Sequence, residues 1–237
     1  NKMSEDTVIE KKFLKITSIR NSSNAFQMKL KENDIIFSLD GELVNISYDD
    51  LSKELSDLKE RKILTLYRDG TFFNTFVAGP LGVICEEVNS ESITDLNSYN
   101  VKENLDLDAF YQQFEVFKKP GHTAVLINTF PTILASFAPP LWMIQNRLWN
   151  FFGISLVFFF VLMMISPWLF FVGWILMSWY VGNSQIDILR FFYMLNNYRL
   201  SFIFCAVSEK EAQVIARNLD SKIDFNYSYL EPVVLED

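Results

Sequence analysis

Residues Leu148 to Ile186 read LWNFFGISLVFFFVLMMISPWLFFVGWILMSWYVGNSQI, 39 positions without a formal charge. One membrane-spanning helix needs about 20 apolar residues, so the run is too long for one and suits two helices joined by a tight turn. Ser166-Pro167 marks that turn, because proline fits the first turn of a helix better than its interior. The expectation is a transmembrane helical hairpin over about 149–182, with Trp149 to Ile165 and Pro167 to Val181 as its limbs. Limbs this short require a thinned bilayer or protein neighbours. Neither limb has a polar face to show to water, which argues against a pair of core helices in a water-soluble domain.

Cations flank this run and are absent from its turn. Lys118, Lys119 and Arg147 precede it, and Arg190 and Arg199 follow. By the excess of Lys and Arg on cytoplasmic loops, both ends face the cytoplasm. Trp142, Arg147, Trp149, Trp179 and Tyr180 then stand at the membrane interface. Val125 to Asn146 is uncharged but carries Pro131, Pro139 and Pro140. Broken backbone at membrane depth survives only where protein or water satisfies it, so this segment reads as re-entrant or interfacial, or else as a third span. A third span would move the N-terminal domain to the outer face.

The remaining charge lies outside this block, since Arg147 is the only formal charge between Pro120 and Ile186. Half of the 237 residues are hydrophobic and 23 are Phe, more than one soluble core of this size calls for. The net charge of −8, with no clustered Lys and Arg, leaves no electrostatic footprint for nucleic acid. Cys85 and Cys205 stand far apart in apolar surroundings and read as buried thiols. Asn1 to Lys12 is charged and polar and does not read as a signal peptide.

Residues 13–80 show a different rhythm. Phe13 to Ile19 and Asp34 to Leu39 read as strands separated by a short turn or helix at Ser23 to Met28. Asp40-Gly41 and Asp69-Gly70 are hairpin signals, the second joining strands at Ile63 to Tyr67 and Phe72 to Ala78. Leu51, Leu55 and Leu58 place one apolar face on a helix from Tyr48 to Leu58. With Ile16-Thr17-Ser18-Ile19, Ala25, Leu30 to Ile36, Leu39 to Val44 and Leu64 to Gly70, the segment resembles a bacterial PDZ domain. The resemblance implies a small β-barrel or sandwich with one main helix, which takes an extended peptide or C-terminus as an added strand. The peptide contacts it implies are Phe13, Leu14, Lys15 and Ile16 of the first strand and Tyr48, Leu51 and Leu55 of the helix. The loop Glu10 to Leu14 lacks the glycine that lets amides approach a carboxylate, so a packing role for the groove stands beside peptide binding.

Residues 81–109 read as a linker, including the solvated pair Glu86-Glu87 and a Ser, Asn and Asp-rich run from Asn89 to Asn104. Residues 110–237 form a membrane-anchoring domain. In it Ile186 to Leu195 reads as an amphipathic helix, Arg199 to Ala206 as a strand able to pair with Tyr111 to Phe117, and Ser208 to Glu211 as a capping box opening a helix to about Leu219. These last elements, about 199–219, make a small α/β cytoplasmic cap. Phe130-Pro131, Pro139 to Trp142, Arg147 to Trp149, Gly182-Asn183, Leu195 to Arg199, Ala206 to Ser208 and Glu211-Ala212 resemble the domain of unknown function 2628 family, short tryptophan-rich bacterial membrane proteins. That resemblance implies an inner-membrane location and no activity.

Catalytic signatures are missing. His122 is the only histidine, and neither a Gly-x-Ser-x-Gly elbow, a His-Glu-x-x-His zinc motif, a Walker loop nor a dinucleotide fingerprint is present. The expected fold class is therefore α+β plus an α-helical membrane region. The expected function is that of a non-enzymatic, multi-pass inner-membrane adaptor or accessory subunit, without cofactor or metal. Its expected partners are membrane lipid, a membrane-protein complex and an extended peptide, not nucleic acid. A regulator of membrane proteolysis or secretion is the alternative, followed by a lipid or transport protein.

Overall fold

The computed structural model describes residues 12–58, 60–89 and 105–232. The N-terminal segment 1–11 and most of the Asn89 to Asn104 run lie outside them. The chain divides into two compact units, Asn1–Asn128 with Leu200–Asp237, and Thr129–Arg199.

The first unit is built on one ten-stranded mixed sheet. Its strands are β1 (Lys12–Ile19), β2 (Ile35–Leu39), β3 (Glu42–Leu43), β4 (Lys62–Arg68), β5 (Thr71–Val77), β6 (Val83–Asn89), β7 (Gln112–Lys118), β8 (Thr123–Asn128), β9 (Arg199–Ala206) and β10 (Asp224–Phe225). The order is β10-β8-β7-β9-β5-β4-β2-β1-β6, with β3 paired to β2. β10 and β8 pair in parallel. The β7 segment and β9 are neighbours, the pairing that their apolar patterns suggest. Two turns close as expected: Asp40-Gly41 and Asp69-Gly70 all have positive φ, as the tightest two-residue hairpins demand.

Period-two alternation puts an apolar layer on each face of this sheet. Leu14, Ile16, Ile36, Leu64, Leu66, Phe73, Phe202 and Phe204 lie in one layer, with Leu51 and Leu55 of helix α2 and Ala212 and Ala216 of the C-terminal helix. Phe13, Ile35, Phe37, Ile63, Tyr67 and Cys205 lie in the other. Helix α1 (Asn24–Gln27) is a single turn; α2 (Tyr48–Ser56) is capped by the Ser47 hydroxyl, which accepts from Asp50 N–H. Leu51 and Leu55 are fully buried, each contributing about 1.5–3 kcal/mol by removal from water. A buried bidentate pair ties β4 to the β2 approach: Arg68 Nε and Nη2 donate to Asp34 Oδ1 and Oδ2 at 2.5 and 2.6 Å. Within the stretch expected as a linker at 81–109, Val83–Asn89 instead forms β6, which pairs antiparallel with β1.

The second unit is helical: α3 (Ile133–Phe137), α4 (Pro139–Gln145), α5 (Trp149–Ile165) and α6 (Pro167–Leu195). Ser166-Pro167 makes the turn between α5 and α6, with proline at the start of the second helix. Among the described residues, however, no helix is long and apolar enough to cross a membrane. This overturns the transmembrane hairpin, the multi-pass inner-membrane location and the membrane component of the fold class. The physical reason is length set against polarity. The 17 residues of α5 rise about 25 Å, against a hydrocarbon core of about 30 Å. The longer α6 does not stop at Val181 but runs on through Asn183, Gln185, Asp187 and Arg190, so its length is reached by taking in polar residues.

Val125 to Asn146 is likewise neither a span nor a re-entrant segment, being divided between β8, α3 and α4. The expected interface anchors resolve differently from one another. Trp142 is 2% exposed and belongs to the packed interior, and Arg147 sits in a left-handed turn before α5 with φ of 58°. Trp149, Trp179 and Tyr180 are exposed.

Within this unit α3 lies against α6 at Gly182, whose Cα has room for nothing larger: an added Cβ would stand 3.1 Å from Ser136 Cα. Gln185 Oε1 accepts from Thr132 N–H and hydroxyl at 2.9 and 3.1 Å, fastening the same contact. Between α5 and α6, Phe159 packs on Phe170 and Trp174 with ring centroids 5.6 and 5.2 Å apart. The outer faces remain apolar: Phe160, Met164 and Trp168 are 66%, 74% and 80% exposed.

The C-terminal helix α7 (Glu209–Leu219) returns to the first unit and carries the expected cap. Ser208 Oγ accepts from Glu211 N–H, while Glu211 Oε2 accepts from Val207 N–H. Asp220, just past its end, is partly desolvated, which raises its pKa; hydrogen bonds from Lys118 and Lys222 N–H outweigh this and hold it below the ordinary aspartate value.

Candidate peptide-binding cleft

The segment from Arg20 to Asn24 and the loop from Pro80 to Val83 face each other at the start of β6. Arg20 N–H donates to Gly82 O at 3.2 Å, and Ala25 N–H to Leu81 O at 3.0 Å. Asn24 Nδ2 donates to Pro80 O at 2.9 Å. Three successive carbonyls are thus fixed toward one side. In a planar trans peptide the N–H opposes the C=O, so the amides of the same units turn the other way. Val83 N–H shows this directly, donating to the Tyr48 hydroxyl on α2 at 3.3 Å.

Glycine is required at the centre of this loop. Gly82 has φ of 70°, and a Cβ there would stand 2.7 Å from Ser23 Cβ. The arrangement leaves a cleft of about 510 Å³ between the loop and the first turns of α2, reached by Arg20, Ser23, Tyr48, Ser52, Gly82 and Val83. Beyond it runs β6, which ends the sheet order among the described residues.

The residues expected to touch a peptide do not assemble here, with one exception. Phe13, Leu14 and Ile16 are buried, and their strand has a neighbour on each side, β2 and β6. An internal strand has no free edge for a peptide to join. Lys15 is engaged by Glu86 across the β1–β6 pair at 3.6 Å, as Lys12 is by Glu87 at 2.9 Å. Leu51 and Leu55 lie in the core beneath α2. Tyr48 alone reaches the cleft. Sequence reasoning looked for a glycine loop before the first strand; the loop comes after the fifth, in Gly79-Pro80-Leu81-Gly82-Val83. That pair of glycines around Pro-Leu was the available signal.

Cys85, on the cleft's strand and packed against the core, is a half-buried thiol whose pKa burial pushes up to about 12, so it remains protonated and unreactive near neutrality. Cys205, on the other layer, is pushed up further by the same cause. A larger cleft of about 700 Å³ opens in the second unit between α5 and α6. Its walls are mostly apolar, Phe151, Ile154, Phe158 and Ile188 among them, and two of its polar groups are engaged: Ser155 Oγ donates to Phe152 O and Asp187 accepts from Arg190. Among the described residues no three His, Cys, Asp or Glu side chains converge to hold a metal ion.

Compared with models of protein families the chain matches none, and among curated proteins no match is found.

Proposed function

We propose that this protein is a non-enzymatic adaptor that takes an extended segment of a partner protein as an added strand along β6, with the free end of that segment in the cleft beside Gly82. The reading follows the resemblance of residues 13–80 to a PDZ domain but moves the groove from β1 to β6. One observation carries it: the strand at the end of the sheet order starts at a glycine loop with its carbonyls tied back, under the first turn of an apolar-faced helix. Main-chain hydrogen bonds along such an edge supply affinity, and the cleft supplies selection.

The test is a selection of free C-terminal peptides on the full chain, followed by fluorescence polarisation with the best binders. Ser52→Trp, which fills the cleft from a half-buried position on α2, lowers affinity at least tenfold while the urea midpoint is unchanged. Absence of any binder, or binders indifferent to Ser52→Trp, overturns the proposal.

A further inference from the structure

The cleft's chemistry says what kind of chain end it accepts, an inference that rests on the peptide-binding reading above. The apolar residues nearest the cleft are closed off: Leu51, Leu55 and Leu81 are 0% exposed and Val83 3%. Tyr48 packs over them and spends its hydroxyl on Val83 N–H, so no apolar slot opens for a terminal Val or Leu side chain. Much of what faces the space is polar, and Arg20, Ser23, Tyr48 and Ser52 are able to donate. Ser23 Oγ accepts from Phe26 N–H and Tyr48 Oη from Val83 N–H, which leaves each hydroxyl hydrogen to give outward. Arg20 is the one charged residue on the wall, and no carboxylate accompanies it.

We infer that the cleft selects a peptide whose last residue is Asp or Glu, its main-chain carboxylate taken by the Gly82 loop and its side-chain carboxylate by Arg20 and the neighbouring hydroxyls. A guanidinium presents a planar fork of donors that matches a carboxylate, and a charge-assisted hydrogen bond is about twice as strong as a neutral one. An apolar terminal side chain would instead leave these donors facing hydrocarbon, which is unfavourable.

The experiment titrates the full chain with one peptide series differing only in the last residue, Glu, Gln, Ser or Val, each with a free and an amidated terminus. Glu binds at least tenfold more tightly than Val. Arg20→Ala, at an exposed position, abolishes that preference and leaves weak, residue-independent binding. Amidation weakens every member, because the loop amides lose their partner. A Val-ended peptide that binds as well as or better than the Glu-ended one overturns the inference and leaves the adaptor reading intact. So does a Glu preference that survives Arg20→Ala. No binding by any free-ended peptide overturns both.

Discussion

The helical unit is richer in apolar residues than the sheet unit, and the two use them in opposite ways. In the sheet unit the alternation of the strands sends Leu14, Ile16, Ile36 and Leu64 to one layer and Phe13, Ile35 and Phe37 to the other, and both are covered. In the helical unit Phe159 is enclosed while its neighbours Phe158 and Phe160 stand open. Period-two segregation lets a strand bury two faces in two layers, whereas a helix that is apolar all round can bury only the stripe that meets its partner. Hydrophobic content therefore sets how much surface needs cover, and periodicity decides how much the chain covers itself.

That contrast is broken most severely where the sheet unit hides charge. Asp34 is fully buried against Arg68, and its Oδ2 also accepts Lys31 N–H at 2.7 Å, so the carboxylate holds both a guanidinium and the loop before β2. Asp34→Ala leaves that guanidinium without its counter-ion and lowers stability by about 3–5 kcal/mol in urea unfolding followed by circular dichroism. The double replacement Asp34→Leu with Arg68→Met restores most of the loss, because a packed apolar pair needs no counter-ion. Lys53→Ala, at an exposed ion pair with Asp50, shifts the midpoint by no more than about 0.5 kcal/mol.

In the helical unit the corresponding weak point is steric. Gly182→Ala adds a methyl group at the α3–α6 contact, where Ser136 Oγ and Cβ already occupy its position. Alanine favours the helix itself by about 1 kcal/mol, but parting two packed helices costs about 1–3 kcal/mol, so the net loss reaches about 2 kcal/mol. Hydrogen exchange at Ala135 and Ser136 reports it. Unchanged protection there would mean that α3 is not held by this contact.

Much of the local structure is written in short-range signals. Asp40-Gly41 and Asp69-Gly70 announce their hairpins because both positions need left-handed backbone, and Ser47 and Ser208 announce their helices because a free hydroxyl caps exposed N–H groups. What escaped depends on distance or on degree. The neighbour of β1 is β6, some 70 residues later, and its core-facing residues are only Val83 and half-buried Cys85, too weak a pattern to stand out from polar surroundings. The PDZ resemblance implies peptide contacts at Phe13, Leu14 and Ile16, and the side of β1 opposite β2 is instead occupied by β6. In the helical unit the charge-free run gives only a length, whereas the helices are set by where the backbone continues. The end of α6 is fixed near Leu195, well past the charge-free run, because no proline stands between Gly182 and Leu195 to break the helix.

The smallest expected effect tests the exposed side of the comparison. Phe160 and Met164 stand one turn apart on α5, and both already face outward. Replacing both with Lys removes no packed contact and adds no buried charge, so the stability of the chain changes by less than about 0.5 kcal/mol, while concentration-dependent association in sedimentation falls. Phe159→Ala is the control on the enclosed stripe: it deletes a ring held between Phe170 and Trp174 and lowers stability by about 3 kcal/mol or more. A double Lys variant as damaging as Phe159→Ala would mean that in the folded protein another surface rests on this face, and the division between a unit that covers its own apolar residues and one that does not would no longer hold.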